Sequence, residues 1–288
     1  MTMHLIVNSL SGGYSLAVGF EIEAGLKQAG YVPKQHVVTT LEGALQASTA
    51  IQASEPEPYI VVAGGDGTIN AVLNGLLPGR ATLAVIPVGT ANVLAQELGI
   101  VSVDDAVRRI AAGASRVLSV GAISIAGKKR YFSLMAGVGV DGAIVGGVGK
   151  REKQLLKKWA YGLSALRTLW HWDRRMLKVY TDREEVICHS VIVSNATRYA
   201  GRFLLAPEQS LSLPSLTALC ITSQSRFTYA KLVLTLLLGR KPSGQGVYRF
   251  VARNLTVVGN KPVQVDGDFV GYGPVDVHVV YDFARIIR

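Results

Sequence analysis

The chain has 288 residues, 49% of them hydrophobic and 17% charged, with a formal net charge of +10. This composition excludes a disordered, collagenous or coiled-coil protein and supplies apolar surface for one large core or two smaller ones. The positive balance points to an anionic partner such as a nucleotide or an anionic membrane, and no helix-turn-helix, zinc-finger or RNA-binding aromatic signature argues for nucleic acid.

The start, Met1 to Val7, lacks the basic segment and long apolar core of a signal peptide and reads as a first strand. No apolar run approaches the roughly 20 residues of a membrane span. The longest, Leu232 to Gly239, is followed by Arg240 and Lys241. A cytoplasmic protein is expected, with peripheral contact at the inner membrane face. Leu5 to Val7 is a strand ending in Asn8-Ser9-Leu10-Ser11-Gly12-Gly13, and Ser15 to Ala29 a helix with Leu16, Phe20, Ile22 and Leu26 at helical spacing and Gly30 at its close. His36 to Val38 is a strand. Thr39-Thr40 then offers a cap to a helix over Leu41 to Ala53. Tyr59 to Ala63 is a continuous apolar run, as in a strand buried on both faces, followed by glycines and a helix over Ile69 to Leu77. Leu83 to Ile86 repeats the theme, with a turn over Pro87 to Thr90, a helix through Leu98 and another over Asp104 to Ala112. This alternation predicts an α/β domain with a mostly parallel sheet and flanking helices, whose ligands bind at the carboxyl ends of the strands.

From Val117 onward the pattern changes. Val117 to Ile125, Arg130 to Met135, Leu177 to Tyr180, Val186 to Ser194, Leu216 to Thr222, Leu255 to Val258, Val263 to Val265 and Val275 to Tyr281 read as short strands. Helices interrupt them near Lys153 to Trp170 and Thr228 to Leu238. This predicts a β-rich second domain of sandwich type over residues 120–275, after an α/β domain over 1–119. Cys188 and Cys220 lie in apolar stretches and read as buried thiols; the five histidines show no zinc-ligand spacing.

Gly64-Gly65-Asp66-Gly67-Thr68 follows a buried strand and opens a helix. Glycines let backbone N–H groups reach phosphate oxygens, and the helix N-terminus favours an anion. Thr68 and Asn70 offer hydrogen bonds to a nucleotide, and Asp66 reads as a residue that holds Mg²⁺ through water or orients a reacting group. The same five residues also suit a plain glycine turn with a capping Asp. Asp266-Gly267 likewise reads two ways: as a hairpin turn, or as a carboxylate close enough to a substrate hydroxyl to act as general base.

The motifs taken in order are more specific than any one of them. Asn8…Ser11-Gly12, then Gly64 to Thr68 with Asn70, then Pro87-x-Gly89-Thr90-x-Asn92-x-x-Ala95, then Gly137-x-Gly139-x-Asp141, then Val265-Asp266-Gly267-Asp268 resembles the diacylglycerol-kinase/lipid-kinase family of bacteria, to which sphingosine and ceramide kinases are similar. The resemblance runs over nearly the whole chain. It implies an α/β nucleotide domain and a β-sandwich acceptor domain with the nucleotide between them, and a last strand, 276–288, that returns to the first domain. It implies ATP with Mg²⁺ as donor and a lipid hydroxyl as acceptor. It places Asn8, Ser11, Gly12, Thr39, Gly64, Gly65, Asp66, Gly67, Thr68 and Thr90 at the ATP site, with Asn70 and Asn92 beside them. Asp266 is the first candidate for general base, and Asp268, where the family usually has Glu, is the second.

The chain departs from the family at four places. Asn8-Ser9 stands for Asn-Pro, Ala71 for a Glu, and Ser119 for an acidic residue. Leu213-Pro214 stands where many bacterial members carry Asp-Gly and bind a structural Mg²⁺, so that metal site is expected to be absent. A NAD-kinase-like enzyme with a soluble acceptor is the alternative, although the chain has no Asn-Glu dipeptide of the kind such enzymes use on substrate. A nucleotide-binding regulatory protein with weak turnover is a third reading. Lys150, Arg151, Lys153, Lys157 and Lys158 beside Leu155, Leu156, Trp159, Leu163, Leu166 and Trp170 read either as an anionic-lipid surface or as a helix packed on the second domain with a basic rim.

Overall fold

The computed structural model describes residues 2–148, 164–165, 167–168, 170–199, 201 and 203–288. Lys150, Arg151, Lys153, Leu155, Leu156, Lys157, Lys158, Trp159, Leu163 and Leu166 lie outside them; Trp170 is described and exposed.

The first domain alternates strand and helix in the expected order. β1 (Met3–Asn8), β2 (Lys34–Val38), β3 (Tyr59–Gly64) and β4 (Ala81–Pro87) are joined by α1 (Leu16–Gln28), α2 (Leu41–Ser54) and α3 (Asp66–Asn74). α4 (Val93–Glu97) and α5 (Val103–Ala112) follow. The strands lie parallel in the order β2-β1-β3-β4. β1 and β3 are almost wholly buried because helices pack as pairs, α1 on α5 and α2 on α3, which explains their unbroken apolar runs. Helix starts follow cap chemistry. The hydroxyls of Ser15, Thr40 and Ser102 each accept an N–H from the first turn of their helix, and Gly30 and Gly113 take positive φ just past α1 and α5.

The second domain is an antiparallel sandwich. One layer contains β5 (Ser115–Ile125), β6 (Lys128–Phe132), β8 (Leu177–Tyr180), β9 (Glu185–Cys188), β15 (Asn254–Val258) and β18 (Val275–Ile287). The other runs in the order β14 (Val247–Ala252), β13 (Leu216–Ile221), β10 (Ser190–Ser194), β7 (Met135–Val138), β16 (Pro262–Val265) and β17 (Asp268–Tyr272). A short pair, β11 (Arg198–Tyr199) with β12 (Phe203–Leu204), lies apart. Ile123, Phe132, Val179, Val193, Ala218, Val263 and Val277 fill the space between the layers. α6 (Val140–Gly146) and α7 (Arg226–Leu237) complete the domain.

β18 joins the two domains. Its first part pairs antiparallel with β15, its end, Ala284 to Ile286, runs parallel to β4, and β5 flanks it on the other side. The register breaks between Val280 and Ala284, where Asp282 has φ 53°. The sheet of the nucleotide-type domain therefore continues into one layer of the sandwich. A boundary at 119/120 falls inside β5, a strand that both halves share.

Two stretches that alternate like single strands are each broken in the structure. Arg130 to Met135 divides at Ser133-Leu134, between β6 and β7. Val186 to Ser194 divides at His189, where the chain crosses from one layer to the other. At that corner the imidazole Nδ1 lies 2.7 Å from the Tyr229 hydroxyl, the ring stacks on Trp172, and the His189 carbonyl accepts the Lys261 ammonium at 2.8 Å. β14 and β17 are short, mostly apolar stretches beside glycines that carry no clear polar–apolar alternation.

Lys261 is only 2% exposed, and burial pushes its amine down to about 8. Between that value and the unfolded value of about 10.4, the unfolded chain holds one more proton than the folded one, so this group raises stability as pH rises through that window. Buried Cys220, whose thiol is pushed up, opposes it over the same range. The difference between the parent and Lys261→Met isolates the lysine. Denaturant unfolding from pH 7 to pH 10 is expected to show the parent gaining stability relative to the variant with rising pH; parallel profiles would remove the claim.

Candidate active site

Three loops meet at the carboxyl ends of β1, β3 and β4. The first, after β1, reaches the third through Gly13 N–H donating to the Val88 carbonyl at 2.9 Å. A Cβ on Gly12 would stand 2.6 Å from Thr90 Oγ1. A Cβ on Gly89 would stand 2.4 Å from the Cα of Gly65, so the second and third loops touch backbone to backbone. Glycine is required at these contacts because no side chain has room there. Ser11, Gly12, Thr39, Gly65, Gly67 and Thr90 are half-buried or exposed on this edge.

The side chains of the motif are divided between two duties. Thr68 is buried; its hydroxyl accepts Asn8 Nδ2 at 2.9 Å, and it packs so closely on Gly64 that any Cβ there would collide with it. Asp66 opens α3 yet turns away from it: its two carboxylate oxygens accept the N–H groups of Val93 and Leu94, at 3.1 and 3.0 Å. Asp66 is thus the N-terminal cap of α4. Asn92, in the left-handed region at φ 50°, closes the preceding turn on Gly89, accepting its N–H and donating to its carbonyl. α3 itself has Gly65 as N-cap and no side-chain cap. Its first-turn N–H groups are the donors an anion needs, and the aligned dipole adds to them.

Asn70, one turn into α3, crosses to the sandwich. Its Nδ2 donates to the Tyr131 carbonyl at 3.0 Å and to Asp266 Oδ2 at 2.8 Å, and its Oδ1 accepts Arg130 at 3.3 Å. Asp266 and Gly267 take consecutive positive φ values of 47° and 85° and form the two-residue turn between β16 and β17. The hairpin reading and the functional reading of Asp-Gly meet in one residue. The Asp266 carboxylate accepts the N–H groups of Ser133, Leu134 and Met135, the Ser133 hydroxyl and Asn70 Nδ2. Burial pushes its carboxyl upward, and the three backbone N–H groups pull it back. All five partners are donors, so the arrangement is built for the ionised form.

Asp268 sits differently. Its side chain is about one-third exposed and pairs with Arg130 at 3.0 Å, and Arg130 in turn reaches Asn70. Of the two acids in Val-Asp-Gly-Asp, Asp268 is the one with exposed surface, and it connects to α3 through Arg130 and Asn70. Arg130 went unmarked in the sequence, where it read only as the start of a strand; its alternation with Lys128 and Lys129 hid it. Asp141, at the start of α6, is buried and receives hydrogen bonds from Tyr199 and Gln264, and burial pushes its carboxyl above the usual range. It folds over Gly137, where a Cβ would clash with it.

The departures from the family pattern have definite surroundings. Ser119 is buried, its carbonyl accepts Asn195 Nδ2 at 2.9 Å, and among the described residues its hydroxyl has no partner. The segment of Leu213-Pro214 is bolted by Gln209, which donates to the Ser215 carbonyl and accepts the Thr217 hydroxyl. Its one carboxylate, Glu208, is engaged by Lys241 and Arg249. Among the described residues no group of three or more His, Cys, Asp or Glu is placed to hold a metal.

Replacing one Asp266 oxygen by an amide nitrogen sets a donor against donors and strands buried N–H groups. Asp266→Asn is expected to cost about 3–5 kcal/mol in denaturant unfolding; a variant as stable as the parent removes the anchor role. Gly89→Ala must force the second and third loops apart, at about 1–3 kcal/mol, and is expected to weaken nucleotide binding by calorimetry while the near-native circular dichroism remains.

Residues 2–123 match the family model described as the diacylglycerol kinase catalytic domain. Residues 134–288 match the model described as the YegS C-terminal NAD kinase beta sandwich-like domain. A diacylglycerol kinase of Bacillus subtilis is 28% identical over 271 residues, covering 91% of this chain and 87% of the relative. A diacylglycerol kinase of Staphylococcus carnosus is 24% identical over 263 residues, covering 88% and 82%. The crystal structure of a diacylglycerol kinase from Bacillus anthracis superposes with a TM-score of 0.74 over 99% of this chain and 96% of that one, at 19% identity, and so shares the fold. With an α/β half of the diacylglycerol-kinase catalytic type joined through one shared sheet to a sandwich half of the YegS type, the chain belongs to the diacylglycerol-kinase/lipid-kinase family.

Proposed function

We propose that this protein is an ATP-dependent kinase that transfers the γ-phosphate to a hydroxyl of a lipid acceptor such as diacylglycerol or a long-chain alcohol. The observation that carries the reading is the pairing of an uncapped α3 N-terminus, framed by glycines in contact, with the accessible Asp268–Arg130 pair one turn along the same helix. The donor is ATP with its Mg²⁺. Its phosphates lie against the first-turn N–H groups of α3 and the loops bearing Ser11, Gly12 and Thr90, with Thr39 at the same sheet edge. Phosphoryl transfer asks mainly for positioning and charge stabilisation, and backbone donors held by glycine-to-glycine contact do not need to reorganise.

The general base is assigned to Asp268. Asp266 was the stronger candidate on the motif, but its oxygens are occupied by five donors inside the joint between domains, and a base needs a lone pair turned to the substrate. Asp266 then holds the β6–β7 break and the Asp-Gly turn so that Asp268 meets Arg130. Arg130 orients Asp268 and places positive charge where the transferred group gains negative charge.

The test is a γ-labelled ATP assay with Mg²⁺ against a panel of lipids in mixed micelles, with NAD as a soluble acceptor in parallel. Label is expected in one lipid class. Asp268→Asn is expected to lower kcat by roughly 10²–10⁴ while ATP affinity is retained. Label in NAD alone transfers the reading to the soluble-acceptor alternative. ATP binding without any labelled product supports a regulatory protein.

A further inference from the structure

α7 covers the outer face of the six-stranded layer. Tyr229, Leu232 and Leu236 are its buried side and join a cluster with Ile192, Leu219 and Ile221. Its opposite side faces solvent, and that side is also apolar. Phe227 is 78% exposed, Leu234 56%, Leu237 57% and Leu238 61%. At 100° per residue these four fall within one stripe on the side away from the sheet. An ordinary surface helix presents polar residues there. Between Thr222 and Val247 the chain has no acidic residue, while Arg226, Lys231 and Arg240 stand at the two ends and flank of the stripe, next to Lys241, which is paired with Glu208.

We propose that the exposed face of α7 docks the protein on an anionic lipid bilayer. Leucine and phenylalanine side chains aligned on one side enter the boundary of the acyl region, and cations around them meet lipid phosphates. Charge argues for this occupant over a second copy of the chain, because two such faces brought together would oppose Arg226, Lys231 and Arg240 of one copy to the same three of the other. The helix is also anchored toward the candidate site. The Tyr229 hydroxyl lies 2.7 Å from Ser190 Oγ, and Ser190 Oγ accepts the Val140 N–H at the start of α6, next to Asp141. A bilayer seated on α7 therefore lies beside the wall of the sandwich that carries Asp141. The docking stands on the surface itself; its use in delivering the acceptor rests on the lipid-kinase reading.

The experiment is co-sedimentation of the full chain with phosphatidylcholine vesicles, with and without phosphatidylglycerol as the anionic lipid. Binding is expected to the anionic vesicles and to weaken as salt is raised. Leu234→Asp combined with Leu237→Asp is expected to lower the partition coefficient about 10²-fold. Lys231→Glu combined with Arg240→Glu is expected to lower it about tenfold or more on anionic vesicles, with little change on neutral ones. Both positions are exposed, so unchanged thermal unfolding should confirm the fold. Activity on a monodisperse short-chain diacylglycerol is measured alongside and is expected to be unaffected by the leucine changes. No vesicle binding by the parent, or equal binding by the leucine variant, overturns the proposal. So does a parent that sediments as a dimer and a leucine variant that sediments as a monomer with vesicle binding intact. Absence of any lipid phosphorylation with vesicle binding preserved sinks the kinase reading and leaves the docking surface standing.

Discussion

The joint between the two domains is organised around one buried carboxylate. Asp266 gathers three successive backbone N–H groups, a hydroxyl and the amide of Asn70, and those donors come from the sandwich and from α3 of the α/β domain. A charge buried in this way is tolerated only while every one of its partners is in place. It therefore acts as a condition on the fold: the β6–β7 break, the Asp-Gly turn and the first turns of α3 must be built together. The glycine cradle lies at one end of α3 and the Asp268–Arg130 pair along it, so their spacing is set by the same condition. Glu97 adds a second tie, accepting the Thr197 hydroxyl and the Arg198 N–H from the sandwich.

A similar economy governs the strand-end loops. Two helices begin side by side, and only one of them receives a side-chain cap. Asp66 lies in the first turn of α3, yet spends both oxygens on the N-terminus of α4. Had it capped its own helix, the donors that suit a phosphate would be filled and a negative charge would stand among them. Carrying the carboxylate across to α4 secures the third loop against the second, complements α4's dipole, and leaves the α3 N–H groups for an anion. Asn92 and the Gly65–Gly89 contact hold the two loops at the separation this exchange requires.

The α/β half was readable in the sequence because its signals are local. Caps at Ser15 and Thr40, a glycine after α1 and unbroken apolar strands each follow from a few neighbouring residues. The sandwich was readable as a class but not in its breaks. The division at Ser133-Leu134 is imposed by a carboxylate more than 130 positions later, and the corner at His189 by Tyr229 and Lys261 from other elements. No local alternation records such partners. Motif order marks the glycine loops and both Asp266 and Asp268, whereas the hydrogen bonds made by Asp66, Asn70 and Asn92 leave no trace in it. A polar residue beside a glycine looks the same in sequence whether it faces a ligand or ties two loops together.

The contrast between Asp266 and Asp268 shows how a motif can conceal a division of labour. Two residues apart on a tight hairpin, the first points into the joint and the second lies in the paired strand beyond it. A base must release its lone pair to a substrate proton and later part with that proton, which needs an environment that tolerates both states. The surroundings of Asp266 tolerate one. A proton on it could meet only the Ser133 hydroxyl as an acceptor and would displace a donor at the other positions it approached. Asp268, about one-third exposed and paired with Arg130, lies outside that buried cluster of donors. The buried acid thus fixes the turn that carries the partly exposed one, and that same turn presents the residue to which we assign the chemistry.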